Sequence, residues 1–135
     1  MSDEENVLAA NAAFYDAFAR RDVAAMTRVW ADTHAIACIH PGWGPLHGRE
    51  AVMESWQRIL GSTNAPRIVC AAPRAYVMGT LAFVLCFETV SGSHLIATNI
   101  FVREGEAWRM VHHQAGPTAD APPAPEPPAP KTTLH

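Results

Sequence analysis

The first thirty positions repeat apolar side chains at three- and four-residue intervals. Val7, Leu8, Asn11, Phe14, Tyr15 and Phe18 share one stripe, which predicts an amphipathic helix. Alanine fills much of the remainder and favours the same state. Asp22 has the chemistry of an N-cap, because its carboxylate accepts a bond from an exposed helix N–H. A second, short helix would carry Val23, Met26, Val29 and Trp30, giving a helix pair bent at Arg20-Arg21-Asp22. Ala35 to His40 is apolar on both parities, so a strand with both faces covered is expected. A loop from Pro41 to His47 leads to a third helix, Gly48 to Leu60, with Val52, Trp56, Ile59 and Leu60 inward and Gly61 as its stop.

The remainder reads as β. Ile68 to Met78 is strand-like but contains Pro73, which implies a bulge or an edge position. Leu81 to Val90, His94 to Arg103 and Trp108 to Ala115 follow, separated by the turns Ser91-Gly92-Ser93 and Glu104-Gly105-Glu106-Ala107. Segregated helices followed by an antiparallel meander predict an α+β domain over residues 1–116. From Pro117 onward proline and alanine dominate, so residues 117–135 are expected to form an extended or disordered tail.

Composition narrows the classes. With 135 residues, 49% hydrophobic and 17% charged, the chain suits one globular domain with a real core. A net charge of −3 leaves no basic footprint for nucleic acid. No apolar run is long enough to span a bilayer, so no membrane partner is expected. The acidic start Met1-Ser2-Asp3-Glu4-Glu5 is the opposite of a secretory leader. Cys38, Cys70 and Cys86 all lie in strand-like runs, which favours reduced thiols and a cytoplasmic protein.

The candidate chemistry centres on Cys38-Ile39-His40-Pro41-Gly42-Trp43-Gly44-Pro45-Leu46-His47-Gly48-Arg49-Glu50. Here two histidines and a tryptophan sit on a stiff loop between regular elements, as at a pocket rim. This segment, the Phe14-Tyr15-Asp16-Ala17-Phe18 opening with Arg21-Asp22, and Ala97-Thr98-Asn99-Ile100-Phe101 before Trp108-Arg109-Met110-Val111-His112-His113 together resemble the NTF2-like superfamily, more narrowly its SnoaL-like group. The resemblance covers residues 5–116. It implies a cone in which a curved antiparallel sheet wraps around three N-terminal helices and leaves a pocket, and it implies a homodimer through the outer sheet face. It implies no single activity, since the fold hosts steroid isomerases, polyketide cyclases, dehydratases, epoxide hydrolases and plain binding or assembly domains. No residue set here matches the catalytic pattern of the well-known enzymes on this fold. His34 stands where relatives often look acidic.

Parity along the last hairpin assigns faces. With a turn of two or four residues, Phe101 and Trp108 share a face, and Asn99, Met110 and His112 join them. That set is expected to line the concave interior, with Thr98, Ile100, Arg109, Val111 and His113 outside. His40 and His112 are therefore the candidate acid/base groups, because imidazole titrates near neutral pH. Trp43, Trp56 and Asn99 are the candidate ligand contacts for a small apolar molecule. Glu88 is the only acid inside a strand, and its burial would require a partner. Its parity relative to the pocket is open. A metal site of His40, His47 and His112 lacks tight ligand spacing, so neither metal nor cofactor is expected. Two functional readings stand. One is a small-molecule binder or an isomerase, cyclase, dehydratase or hydrolase using histidine chemistry. The other is a noncatalytic dimeric binding or assembly module. An open cavity reaching Asn99 and His112 would favour the first, and one plugged by aromatic side chains the second.

Overall fold

A computed structural model of the protein describes residues 1–124. Residues 125–135, and with them most of the expected tail, lie outside the described residues. The elements run α1 (Asp3–Ala19), α2 (Val23–Val29), β1 (Ala37–Ile39), β2 (Leu46–His47), α3 (Arg49–Gly61), β3 (Ile68–Met78), β4 (Leu81–Val90), β5 (Ser93–Glu104) and β6 (Ala107–Pro117). Local chemistry sets the helix starts. Ser2 Oγ accepts from the Glu5 amide at 3.1 Å while Glu5 Oε1 accepts from the Ser2 amide at 3.1 Å, a complete capping box. Asp22 Oδ1 accepts from the Ala25 amide at 2.9 Å, as the cap reading required.

Six strands form one curved, unclosed sheet in the order β2-β1-β6-β5-β4-β3. The β3-to-β6 meander is antiparallel throughout, but β1 lies parallel to β6, so the sheet is mixed. The short β2 was not expected. It folds back on β1, with Cys38 opposite Leu46, so the predicted loop is a compact hairpin. Pro73 behaves as expected on both counts. It lies on an edge strand, and the β3 register shifts between Ala71 and Arg74. At the C-terminal boundary, Pro117 pairs with Leu95, so β6 extends one residue into the stretch assigned to the tail.

One irregularity overturns a site assignment. The last turn joins Glu104 to Ala107, and Phe101 pairs with Met110, but Ile100 pairs with His112. Val111 is therefore an extra residue, a β-bulge that reverses the side-chain alternation beyond it. His112 turns to the outer face, where its Nδ1 lies 3.0 Å from the Ala37 carbonyl oxygen. His113 turns inward and is 3% exposed. The expected turn parity holds; the bulge exchanges the two histidines.

The helices cover the inner face of the sheet. Phe14, Met26, Trp30, Trp56, Phe101 and Met110 are fully buried between the layers. The outer face is also apolar but bare. Val69, Tyr76, Met78, Leu81, Leu85 and Ile96 are exposed there, and Tyr76 stacks on Phe83 with centroids 4.7 Å apart. Among the described residues no helix is long and apolar enough to cross a membrane. Because the Asp22 carboxylate satisfies an otherwise orphaned amide, Asp22→Ala should lower stability by about 1 kcal/mol. Urea unfolding of the two proteins at neutral pH measures this, and identical midpoints would show that the cap contributes nothing.

Candidate functional site

The interior carries a connected polar cluster, and Asn99 is its centre. Asn99 lies on β5 with no exposed surface. Its Nδ2 donates to Asn11 Oδ1 at 2.8 Å and to the Tyr15 hydroxyl at 3.1 Å, both on α1. Its Oδ1 faces His113 Nδ1 on β6 at 2.5 Å. An amide oxygen only accepts, so His113 carries its proton on Nδ1 and leaves Nε2 as a lone pair. The Tyr15 hydroxyl donates to Glu88 Oε2 on β4 at 2.6 Å. Glu88 Oε2 lies 3.9 Å from His113 Nε2, too far for a direct hydrogen bond.

A second unit sits beside it. His40 is 4% exposed, and its Nε2 is 2.9 Å from Ser55 Oγ on α3. Ser55 Oγ donates to the Val52 carbonyl at 2.7 Å, so its proton is committed and His40 Nε2 must be the donor. The loop holds this arrangement. The Trp43 amide donates to the His40 carbonyl at 2.9 Å, and Gly42 has φ +82°. A type II turn of this kind needs that left-handed conformation, and Pro41 supplies its fixed preceding φ. Trp43 is thereby set edge-on to His40 at 4.9 Å, and Trp56 meets it edge-on at 4.7 Å. The Trp56 centroid is 6.3 Å from that of His113, so the indole borders both imidazoles.

Burial dominates the electrostatics. Desolvation pulls His40 down to about 4. It pulls His113 down to about 3, helped by the nearby His40 and His112. Both rings are neutral at neutral pH. Desolvation pushes Glu88 up, against the Tyr15 hydrogen bond, so its carboxyl is harder to ionise than a free one. Cys38 is raised to about 12 by burial and then by Glu88. All three cysteines are free, and Cys38 has no thiolate character. Glu104 is the opposite case. Against desolvation, His34, the Asp32 and Thr33 amides and the Thr33 hydroxyl hold it at about 2. That exposed knot, with Arg49 bonded to the Thr27 and Ala31 carbonyls at 3.0 and 2.8 Å, ties α2 to the sheet and to α3.

The structure thus unites Asn99, His40 and Trp56 in the interior, with Trp43 at its edge, 42% exposed. It moves His112 out and brings in Asn11, Tyr15, Ser55, Glu88 and His113, none of which the sequence reading placed there. Asn11 on an otherwise apolar stripe was the available signal. Glu88 stood out as the only acid inside a strand, but its face stayed open because β4 is apolar on both parities. Among the described residues no three His, Cys, Asp or Glu side chains are placed to hold a metal ion, and His47 is exposed on the β2 edge. Among the described residues two surface grooves are present, and neither is lined by a residue of the cluster. A groove of about 250 Å³ is lined by Ala10, Ala13, Asp16, Arg28, Trp108 and Arg109 among others. Another, of about 330 Å³, is lined by Phe18, Ala19, Arg21, Ala65, Pro66 and Arg67. Among the described residues neither the buried Trp56 Nε1 nor the buried Trp30 Nε1 has a hydrogen-bond partner, a cost of about 1–3 kcal/mol each.

Comparison with known proteins locates the fold. A family model described as a SnoaL-like domain matches residues 7–120. An NTF2-like protein from Streptomyces avermitilis, provisionally named a dehydratase, superposes with a TM-score of 0.79 and 31% identity, covering 87% of this chain and 97% of that one. A protein from Thiobacillus denitrificans, provisionally named a calcium/calmodulin-dependent protein kinase type II association domain, gives 0.73 and 34%, covering 82% and 94%. The F-box protein SKIP8 of Arabidopsis thaliana is 25% identical over 111 residues, covering 81% of this chain. The chain spans about half of that relative, 48% of its length.

The buried carboxyl makes stability depend on pH with a definite sign. The folded Glu88 value stands above 4.5, so its stabilising share is complete below 4.5 and disappears as pH rises through the raised value. His40 and His113 run the other way, their share being present above 6.5 and lost as pH falls toward about 4 and about 3. Glu88→Gln should therefore gain on the wild type as pH rises, by up to ~1.4 kcal/mol per unit between 4.5 and the raised value. Chemical denaturation across pH tests this, and a wild type that gains on the variant instead would mean an ionised Glu88 paired with His113.

Proposed function

The chain belongs to the SnoaL-like family of NTF2-like proteins, and from that premise we propose that it is an association module whose partner is a second copy of itself. The observation that carries this reading is the bare outer face of β3, β4 and β5. Val69, Tyr76, Met78, Leu81, Leu85 and Ile96 all point outward there with large exposed areas. A broad apolar patch on a folded surface marks an interaction site. The strand registers place these side chains on one face, so a second sheet could cover them together. The interior weighs in the same direction. Asn99, His113 and Glu88 are sealed beneath Phe14, Trp56 and Phe101, where an acid/base enzyme would need substrate access. The association-domain name of the Thiobacillus denitrificans relative agrees with this reading.

A second reading is favoured by the buried cluster itself. Perturbed, desolvated titratable groups concentrate at functional sites. On this reading the chain is a small-molecule enzyme for an apolar substrate, like the relative provisionally named a dehydratase. Glu88 and His113 would then exchange the proton in place of the expected His112, with His40, Trp43, Trp56 and Asn99 around the ligand. Native mass spectrometry of the purified chain separates the two, since a stoichiometric small molecule would favour the second.

At equilibrium in the ultracentrifuge the wild type should sediment at twice its 14.6 kDa chain mass. Leu85→Asp, which places a charge in the centre of the outer face, should sediment as a folded monomer. A monomeric wild type, or a variant that still dimerises fully, would sink the proposal.

A further inference from the structure

We propose that the groove where α1 meets the α3-to-β3 connection binds a small aromatic carboxylate. It shares no lining residue with the exposed apolar set on the sheet's outer face and is independent of the association reading. Its walls are Phe18, Ala19, Ala65 and Pro66, and its charged groups are Arg21 and Arg67. At about 330 Å³ it falls at the small end of ligand sites, roughly 300–1,000 Å³, so a one- or two-ring acid is the matching size.

Charge specifies the occupant. Two guanidiniums line the groove, and among the described residues neither is paired with a carboxylate. Arg21 is oriented by its own backbone. It follows α1 at φ +53°, with its amide donating to the Phe18 carbonyl at 3.1 Å and its Nη2 to the Thr63 carbonyl at 3.4 Å. A planar guanidinium matches a carboxylate fork, and the apolar walls match a flat ring. The other groove makes the contrast. There Arg20 is already paired with Asp16 at 3.0 Å, and Arg109 is bonded to the Arg28 carbonyl.

The groove also adjoins the interior. Phe18 is shared between the two, and its ring meets Trp56 edge-on at 5.7 Å. Trp56 carries the unpartnered buried Nε1–H. A ring seated on Phe18 is therefore one side chain away from an indole with no hydrogen-bond acceptor.

The full chain is titrated with a naphthalene carboxylate and, separately, with the neutral naphthalenemethanol. Calorimetry reads affinity, and amide-proton NMR follows the Trp56 indole, identified by its loss in Trp56→Phe. The acid should bind saturably and shift that indole resonance, and it should bind about tenfold or more tightly than the alcohol. Arg67→Ala, a surface change, should weaken the acid by about tenfold, while Arg28→Ala in the other groove should leave it unchanged. Absence of saturable binding, equal affinity for acid and alcohol, or equal affinity in Arg67→Ala and wild type would each overturn the proposal.

Discussion

The fold depends on keeping one side-chain amide satisfied in a buried interior. Asn99 has no exposed surface, yet its amide meets Asn11 and Tyr15 on α1 and His113 on β6. A buried polar group without partners costs more than its hydrogen bonds contribute, so the three contacts stand or fall together. They fix where α1 lies along the sheet and which face of β6 looks inward. Glu88 extends the same network through Tyr15. Burial raises its pKa, and the Tyr15 hydroxyl supplies the hydrogen bond that a buried carboxyl requires.

The bulge at Val111 makes this network possible. Without the extra residue, His112 would follow Met110 inward and His113 would face out. With it, the inward histidine is the one that reaches Asn99. Valine is a good strand residue, so nothing in the local sequence marks the position as irregular. The irregularity at Pro73 is different, because proline cannot donate to a ladder and announces itself.

Both faces of the central strands are apolar, and this governs the functional reading. Leu81, Phe83, Leu85 and Phe87 form one parity of β4, and Ala82, Val84 and Cys86 the other. The helices cover the smaller side chains and leave the larger ones bare. The chemical groups of the interior are sealed, while the apolar surface is open. That distribution is the ground for preferring the association proposal to the enzymatic one.

The sequence alone determined what depends on neighbours a few residues apart. The Asp22 cap, the amphipathic stripe of α1, the Pro41-Gly42 turn and the strand meander all belong to this class. The family resemblance rests on the same local features. Tertiary structure decided the rest: the exchange of His112 for His113, the inward turn of Glu88, the recruitment of Asn11 and Tyr15, and the closure of the interior. These rest on contacts between distant parts of the chain, the Asn11–Asn99 bond spanning 88 residues. Local preference cannot encode such a contact, because it exists only once the helix has been laid across the sheet and the bulge has set the strand's alternation.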